Sequence, residues 1–179
     1  MRLIDNDVIL VDEHDNELGS MEKMQAHVEA KLHRAVSVFI FNSKGEWLLH
    51  QRALEKYHSK GLWTNASCTH PAPGETTTEA AHRRLAQEMG LAADLKHVHS
   101  FVYKALLENQ LTEYEFDHVF VGITDETPQP HANEVMSYKY INYNNLQRDI
   151  QQNPHNYSAW FKIIVEQVGD IINNNIKKA

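Results

Sequence analysis

Cys68 is the only cysteine in the chain, and His70 stands two positions beyond it in the stretch W-T-N-A-S-C-T-H-P-A-P-G-E, Trp63 to Glu75. On an extended backbone, residues two apart project from one face. A thiol and an imidazole would therefore lie side by side, ahead of a break at Pro71, Pro73 and Gly74. A solitary cysteine is ordinarily a small buried hydrophobe, but one beside a histidine at a strand end is placed for proton transfer. Glu113 and Glu115 flank Tyr114 with the same spacing. Adjacent carboxylates raise the pKa of at least one of them unless a cation holds them. The run Val119-Phe120-Val121 marks their strand as interior, where such a pair calls for a metal or a proton-transfer role.

His27, His33 and His70 complete a candidate set: three imidazoles with two carboxylates suit zinc, manganese or a similar divalent ion. No C-x-x-C or H-E-x-x-H spacing accompanies them. Glu88 follows Ala81 and Leu85 at helical spacing, which puts a carboxylate on or near an apolar face. Arg84, one turn earlier, is its ready ion-pair partner. Lys23, Arg52, Lys56 and Arg84 flank these segments. Scattered, they are ordinary surface charge; converged, they make a phosphate clamp.

The elements that must position these groups follow from pattern. Val8 to Val11 is a short apolar strand, and Ser20 is placed to cap a brief helix at Met21 to His27. R-A-V-S-V-F-I-F-N after His33 is a strong strand, with His33, Ala35, Ser37 and Phe39 on one face. Asn42-Ser43-Lys44-Gly45 turns it into a returning strand, Trp47 to Arg52. Thr76 caps a helix that Gly90 stops after Met89. Leu95 to Leu106 and Leu111 to Thr124 are long strands about a turn at Glu108-Asn109-Gln110. Asp125 to Asn133 is a loop, Met136 to Tyr143 a strand, and Tyr157 to Ile176 a helix with an apolar face from Trp160 to Ile172. This order predicts an α/β fold: a mixed sheet sandwiched between helices, one domain spanning residues 1–179.

Bulk composition narrows the partners. Hydrophobic content of 42% and charged content of 23% are those of an ordinary soluble protein. One cysteine in 179 residues excludes an internal disulfide framework and favours a reducing compartment. Met1 to Asp5 begin no apolar signal-peptide core, and no apolar run is of membrane-spanning length, so a cytoplasmic protein is expected. A net charge of −7 argues against nucleic acid as a partner, though not against a small anion met by a local cluster of cations.

Together these segments resemble the type I isopentenyl diphosphate isomerases of the Nudix superfamily, over about Leu10 to Val165. The resemblance rests on W-T-N-A-S-C-T-H-P at Trp63 to Pro71, on G-E-T-T-T-E-A-A-H-R-R-L-A-Q-E-M-G-L at Gly74 to Leu91, on E-Y-E at Glu113 to Glu115 and on Y-S-A-W at Tyr157 to Trp160. It implies a Nudix-type mixed β-sheet between helices and interconversion of isopentenyl and dimethylallyl diphosphate through a tertiary carbocation, a step of isoprenoid biosynthesis. It further implies Cys68 and Glu115 as the catalytic pair, Tyr103 bonded near Glu115, and Trp160 against the hydrocarbon end. His27, His33, His70, Glu113 and Glu115 would bind one divalent metal (manganese, zinc or magnesium), and Glu88 a magnesium ion shared with the substrate diphosphate. Lys23, Arg52, Lys56 and Arg84 would grip that diphosphate.

Two departures stand beside the resemblance. Lys60-Gly61 replaces the family's frequent Pro-Gly, and the segment before His33 varies in length, which leaves His14, His50 and His58 as competitors of His27. The expected partner is a small diphosphate, without nucleic acid or membrane, bound by a monomer or alternatively a dimer. A Nudix diphosphate hydrolase is the other reading. Its R-E-x-x-E-E segment, rich in magnesium-holding glutamates, reads here Arg83-Arg84-Leu85-Ala86-Gln87-Glu88, with a single glutamate left.

Overall fold

The β-branched and aromatic run that begins at His33 forms the central strand of the protein, β3, in a computed structural model that describes residues 6–176. Met1 to Asp5, on which part of the leader argument rested, lie outside the described residues. In chain order the elements are β1 (Asp7–Val11), β2 (Glu17–Glu22), α1 (Lys23–Val28), β3 (His33–Phe41), β4 (Trp47–Arg52), β5 (Trp63–Thr64) and β6 (Ser67–Thr69). There follow α2 (Thr77–Met89), β7 (Lys96–Leu106), β8 (Thr112–Ile123), β9 (Val135–Ile141), α3 (Tyr143–Gln152) and α4 (Ala159–Ile176). Nine strands join one mixed sheet: β3 runs parallel to β8 from His33↔Glu115 to Phe41↔Ile123, and the other pairings are antiparallel.

Alternation along β3 divides the core. Val36, Val38 and Ile40 pack with Ala80, Ala81, Leu85 and Met89 of α2 on one side. Phe39 and Phe41 pack with Trp160, Phe161, Ile164 and Val168 of α4 on the other. The sheet is therefore sandwiched between helices, as its sequence pattern requires. Thr76 caps α2 in a reciprocal capping box with Glu79, and Gly90 ends it at φ 60°. A side chain at Gly90 would bring its Cβ within 2.6 Å of the Gln129 carbonyl oxygen, so the loop after β8 is seated directly on the end of α2. No helix among the described residues is long and apolar enough to cross a membrane.

Three local expectations are corrected. Ser20 lies within β2, and it is the Glu22 carboxylate that caps α1, accepting from the Gln25 amide at 2.8 Å. β3 and β4 pair only at Phe41↔Trp47, because β4 leaves its hairpin partner for β5 and β9. Helix α3 was not foreseen: Tyr143, Leu146 and Ile150 recur at helical spacing and pack on the α4 side of the core, but polar residues surround them, and Asn142 caps the helix.

Candidate active site and metal centre

One cavity of about 840 Å³ opens on the sheet between α1, α2 and α4. Into its lining come the side chains singled out for chemistry: Cys68, Tyr103, Glu113, Glu115 and Trp160, together with Glu88 and the cations Lys23, Arg52, Lys56 and Arg84, which make up its cationic end. His27 and His70 line it as well, while His33 is fully buried beneath.

The candidate metal ligands are brought together by the β3–β8 pairing, which sets His33 opposite Glu115. The Nδ1 atoms of His27 and His33 donate to the carbonyls of Lys23 and Lys31, each at 2.7 Å. Such outer bonds fix the tautomer and leave Nε2 bare for a ligand. His33 Nε2 lies 3.2 Å from His70 Nε2, which is 2.9 Å from Glu115 Oε1. One donor atom from each of His27, His33, His70 and Glu115 lies within 4.8 Å of the others. Burial lowers the pKa of His27 and takes His70 down to about 4, so these imidazoles are neutral, the form that coordinates. Burial raises the Glu115 pKa, but the His33 and His70 rings beside it outweigh this and hold the carboxyl well below its usual range. An ionised carboxylate beside three imidazoles fits a divalent cation. Glu113 stands outside this quartet. Burial and the charge of Glu115 push it well above the usual carboxylate range, and Tyr103 joins the two, its hydroxyl 2.6 Å from Glu115 Oε2 and 3.2 Å from Glu113 Oε2.

Cys68 and His70 face one cavity with separate partners. The thiol donates to Asn65 Oδ1 at 3.1 Å and lies 3.7 Å from Ser37 Oγ. Burial pushes its pKa far up, which keeps it a thiol. Asn65 is itself immobilised: its amide donates to the Val38 and Ser67 carbonyls, and its oxygen also accepts from Thr64, which accepts from Ser158 at the head of α4. Sequence reasoning missed this chain, although all three residues sit inside the quoted strings W-T-N-A-S-C-T-H-P and Y-S-A-W. It also missed Asp117, fully buried two residues beyond Glu115 and raised to about 8 by burial and the Glu115 charge. The alternation E-Y-E-F-D was the available signal.

At the cationic end, Arg84 reaches Glu88 Oε1 at 2.5 Å, the pairing its position on α2 suggested. Glu88 Oε2 and Arg52 Nε are buried without a partner among the described residues. Burial raises Glu88 to about 7. Unpaired polar atoms on groups that line a cavity are those a ligand completes. The Arg52 guanidinium carbon lies 5.1 Å from the Trp160 ring centroid. His50 and His58 line the same cavity outside the imidazole cluster, and His14 is exposed, so of these candidates it is His27 that stands with His33, His70 and Glu115.

A Nudix domain pattern matches residues 31–161. Relatives named isopentenyl-diphosphate Delta-isomerase are similar over nearly the whole length. The protein of Pectobacterium atrosepticum is 48% identical over 164 residues, 92% of either chain. The isomerase 2 of Photorhabdus laumondii is 49% identical, over 90% of this chain and 92% of its own. The chain belongs to the Nudix isopentenyl-diphosphate Delta-isomerases. Solved structures show the same fold at greater distance. A Deinococcus radiodurans protein superposes with a TM-score of 0.69 at 22% identity, over 82% of this chain and 90% of its own. The MutT protein of Methanosarcina mazei gives 0.60 at 17%, over 82% and 94%. In this chain the Arg83 to Glu88 stretch of α2 holds a single carboxylate, Glu88, which moves the chemical interest from α2 to β6 and β8.

Proposed function

We propose that this isomerase interconverts isopentenyl and dimethylallyl diphosphate, with the diphosphate at the cationic end and the five-carbon chain between Cys68 and Glu115. The observation that carries this reading is the coexistence, in one cavity, of a half-buried thiol and a buried ionised carboxylate with four cations. Moving an unactivated double bond means adding a proton to the terminal methylene carbon and removing one from the carbon nearer the diphosphate. A tertiary cation lies between the two steps. One member of the Cys68–Glu115 pair gives a proton and the other takes one, and the roles exchange with direction. Tyr103, bonded to Glu115, orients that carboxylate. Exclusion of water protects the cation from capture.

A divalent ion bound by His27, His33, His70 and Glu115, with Glu113 alongside, would tune the proton affinity of Glu115. Manganese, zinc and magnesium all suit the donor set, and Glu88 would hold magnesium against the diphosphate. We place the enzyme in the cytoplasm, acting as a monomer without nucleic acid or membrane, as its acidic balance and single free cysteine suggest.

Trp160 provides the test of the cationic route. It is buried in the α4 core and lines the cavity. An indole face against a desolvated cation contributes about 2 kcal/mol or more, which corresponds to roughly thirtyfold in rate. That contact exists only once charge develops, so it lowers the barrier and leaves substrate affinity nearly unchanged. Trp160→Phe should therefore slow turnover moderately and Trp160→Leu much more, compared at matched melting temperature. Equal turnover for the two would reduce Trp160 to packing.

A further inference from the structure

Lys56 and Arg84 reach the cavity from different elements, the loop after β4 and the middle of α2. Behind them, outside the lining, one oxygen of Glu134 accepts from both: Oε2 lies 2.6 Å from Lys56 Nζ and 2.8 Å from Arg84 NH2. Glu134 precedes β9 and is tied down by its backbone. Its carbonyl accepts from the Ala53 amide at 3.0 Å, and its amide donates to the His131 carbonyl at 2.9 Å. The His131 amide in turn donates to the Glu88 carbonyl at 2.9 Å, and Gln129 donates to Met89 at 2.8 Å. Three segments meet at this carboxylate: the β4 loop, the C-terminal half of α2 and the start of β9.

Two cations this close repel, and a lysine stem costs about 2 kcal/mol of rotamer freedom to immobilise. A fixed counter-ion shared through one oxygen removes both obstacles before the substrate arrives. A single phosphate can be held by either cation alone. A diphosphate offers oxygens on two phosphorus atoms, and only a pair of cations at set separation engages both. We propose that Glu134 is a positioning residue that fixes the spacing of Lys56 and Arg84 and thereby makes the cavity select a diphosphate over a single phosphate. The inference rests on the diphosphate reading of the cationic end.

Positioning and simple charge neutralisation predict opposite signs. Removing an anion raises the local positive potential and tightens every bound anion. Removing a positioning group loosens the ligand that needs both cations. The full-length enzyme and its Glu134→Gln and Glu134→Asp variants should be assayed for isomerisation, with inorganic pyrophosphate and orthophosphate as competing probes. Glu134→Gln is expected to raise the pyrophosphate inhibition constant and the KM for isopentenyl diphosphate about tenfold, the scale of one charge-assisted contact. Orthophosphate inhibition should change by less than about threefold, and kcat far less than KM. Glu134→Asp, which keeps the charge on a side chain one methylene shorter, should recover part of the loss. Pyrophosphate and orthophosphate weakening in step, or both tightening, would overturn the positioning role. Failure of pyrophosphate to inhibit the unmodified enzyme would instead overturn the diphosphate reading, and the positioning role with it.

Discussion

Cys68→Ala should lose isomerisation by about 10²- to 10⁴-fold while the protein remains folded, the range expected when one positioned proton-transfer group is removed. The thiol is partly exposed to the cavity, and its removal deletes one small side chain. The stability cost should be about 1 kcal/mol. Burial keeps the group protonated, and Asn65, itself held by two backbone carbonyls, fixes the thiol from one side. Cys68→Ser should retain a bond to Asn65 and still fail, because a hydroxyl is the poorer proton donor. Circular dichroism melts beside turnover decide the matter. Unfolding of Cys68→Ala, with residual folded protein fully active, would make Cys68 a core residue.

The second large effect concerns the imidazole cluster. The unmodified protein should retain one divalent ion per chain after dialysis, and His70→Ala should weaken metal binding by more than about 100-fold. Loss of a ligand exceeds the 10–100-fold typical of its outer partners. Elemental analysis gives the stoichiometry without reference to activity. Added metal should stabilise only the unmodified protein, by about 4 kcal/mol at a thousandfold excess over its dissociation constant. Undiminished metal in His70→Ala would place the ion elsewhere than His27, His33, His70 and Glu115.

Much of this arrangement was legible because it depends on strand alternation. Glu113 and Glu115 face one side of β8 by spacing alone, and His33 opens the strand whose apolar run is unmistakable. That His33 lies opposite Glu115 was not legible, since parallel register depends on contacts far apart in sequence. Glu134 was hidden for a related reason. It lies 50 residues from Arg84 and 78 from Lys56, and an isolated glutamate before a strand carries no local pattern. Asn65 was visible within its motif, but its task depends on Ser158, distant in sequence, reaching the Thr64 hydroxyl that donates to it. Spacing reveals which groups share a face, whereas the hydrogen bonds that orient them depend on where distant elements cross.

The most direct measurement is incubation of the purified, metal-loaded protein with isopentenyl diphosphate, following the allylic isomer and released phosphate in the same sample. A cavity lined by both Cys68 and Glu115, with one glutamate left in the Arg83 to Glu88 stretch, should yield dimethylallyl diphosphate with no phosphate above the enzyme-free control. Phosphate released without the isomer would contradict the isomerase assignment and establish a Nudix hydrolase in its place.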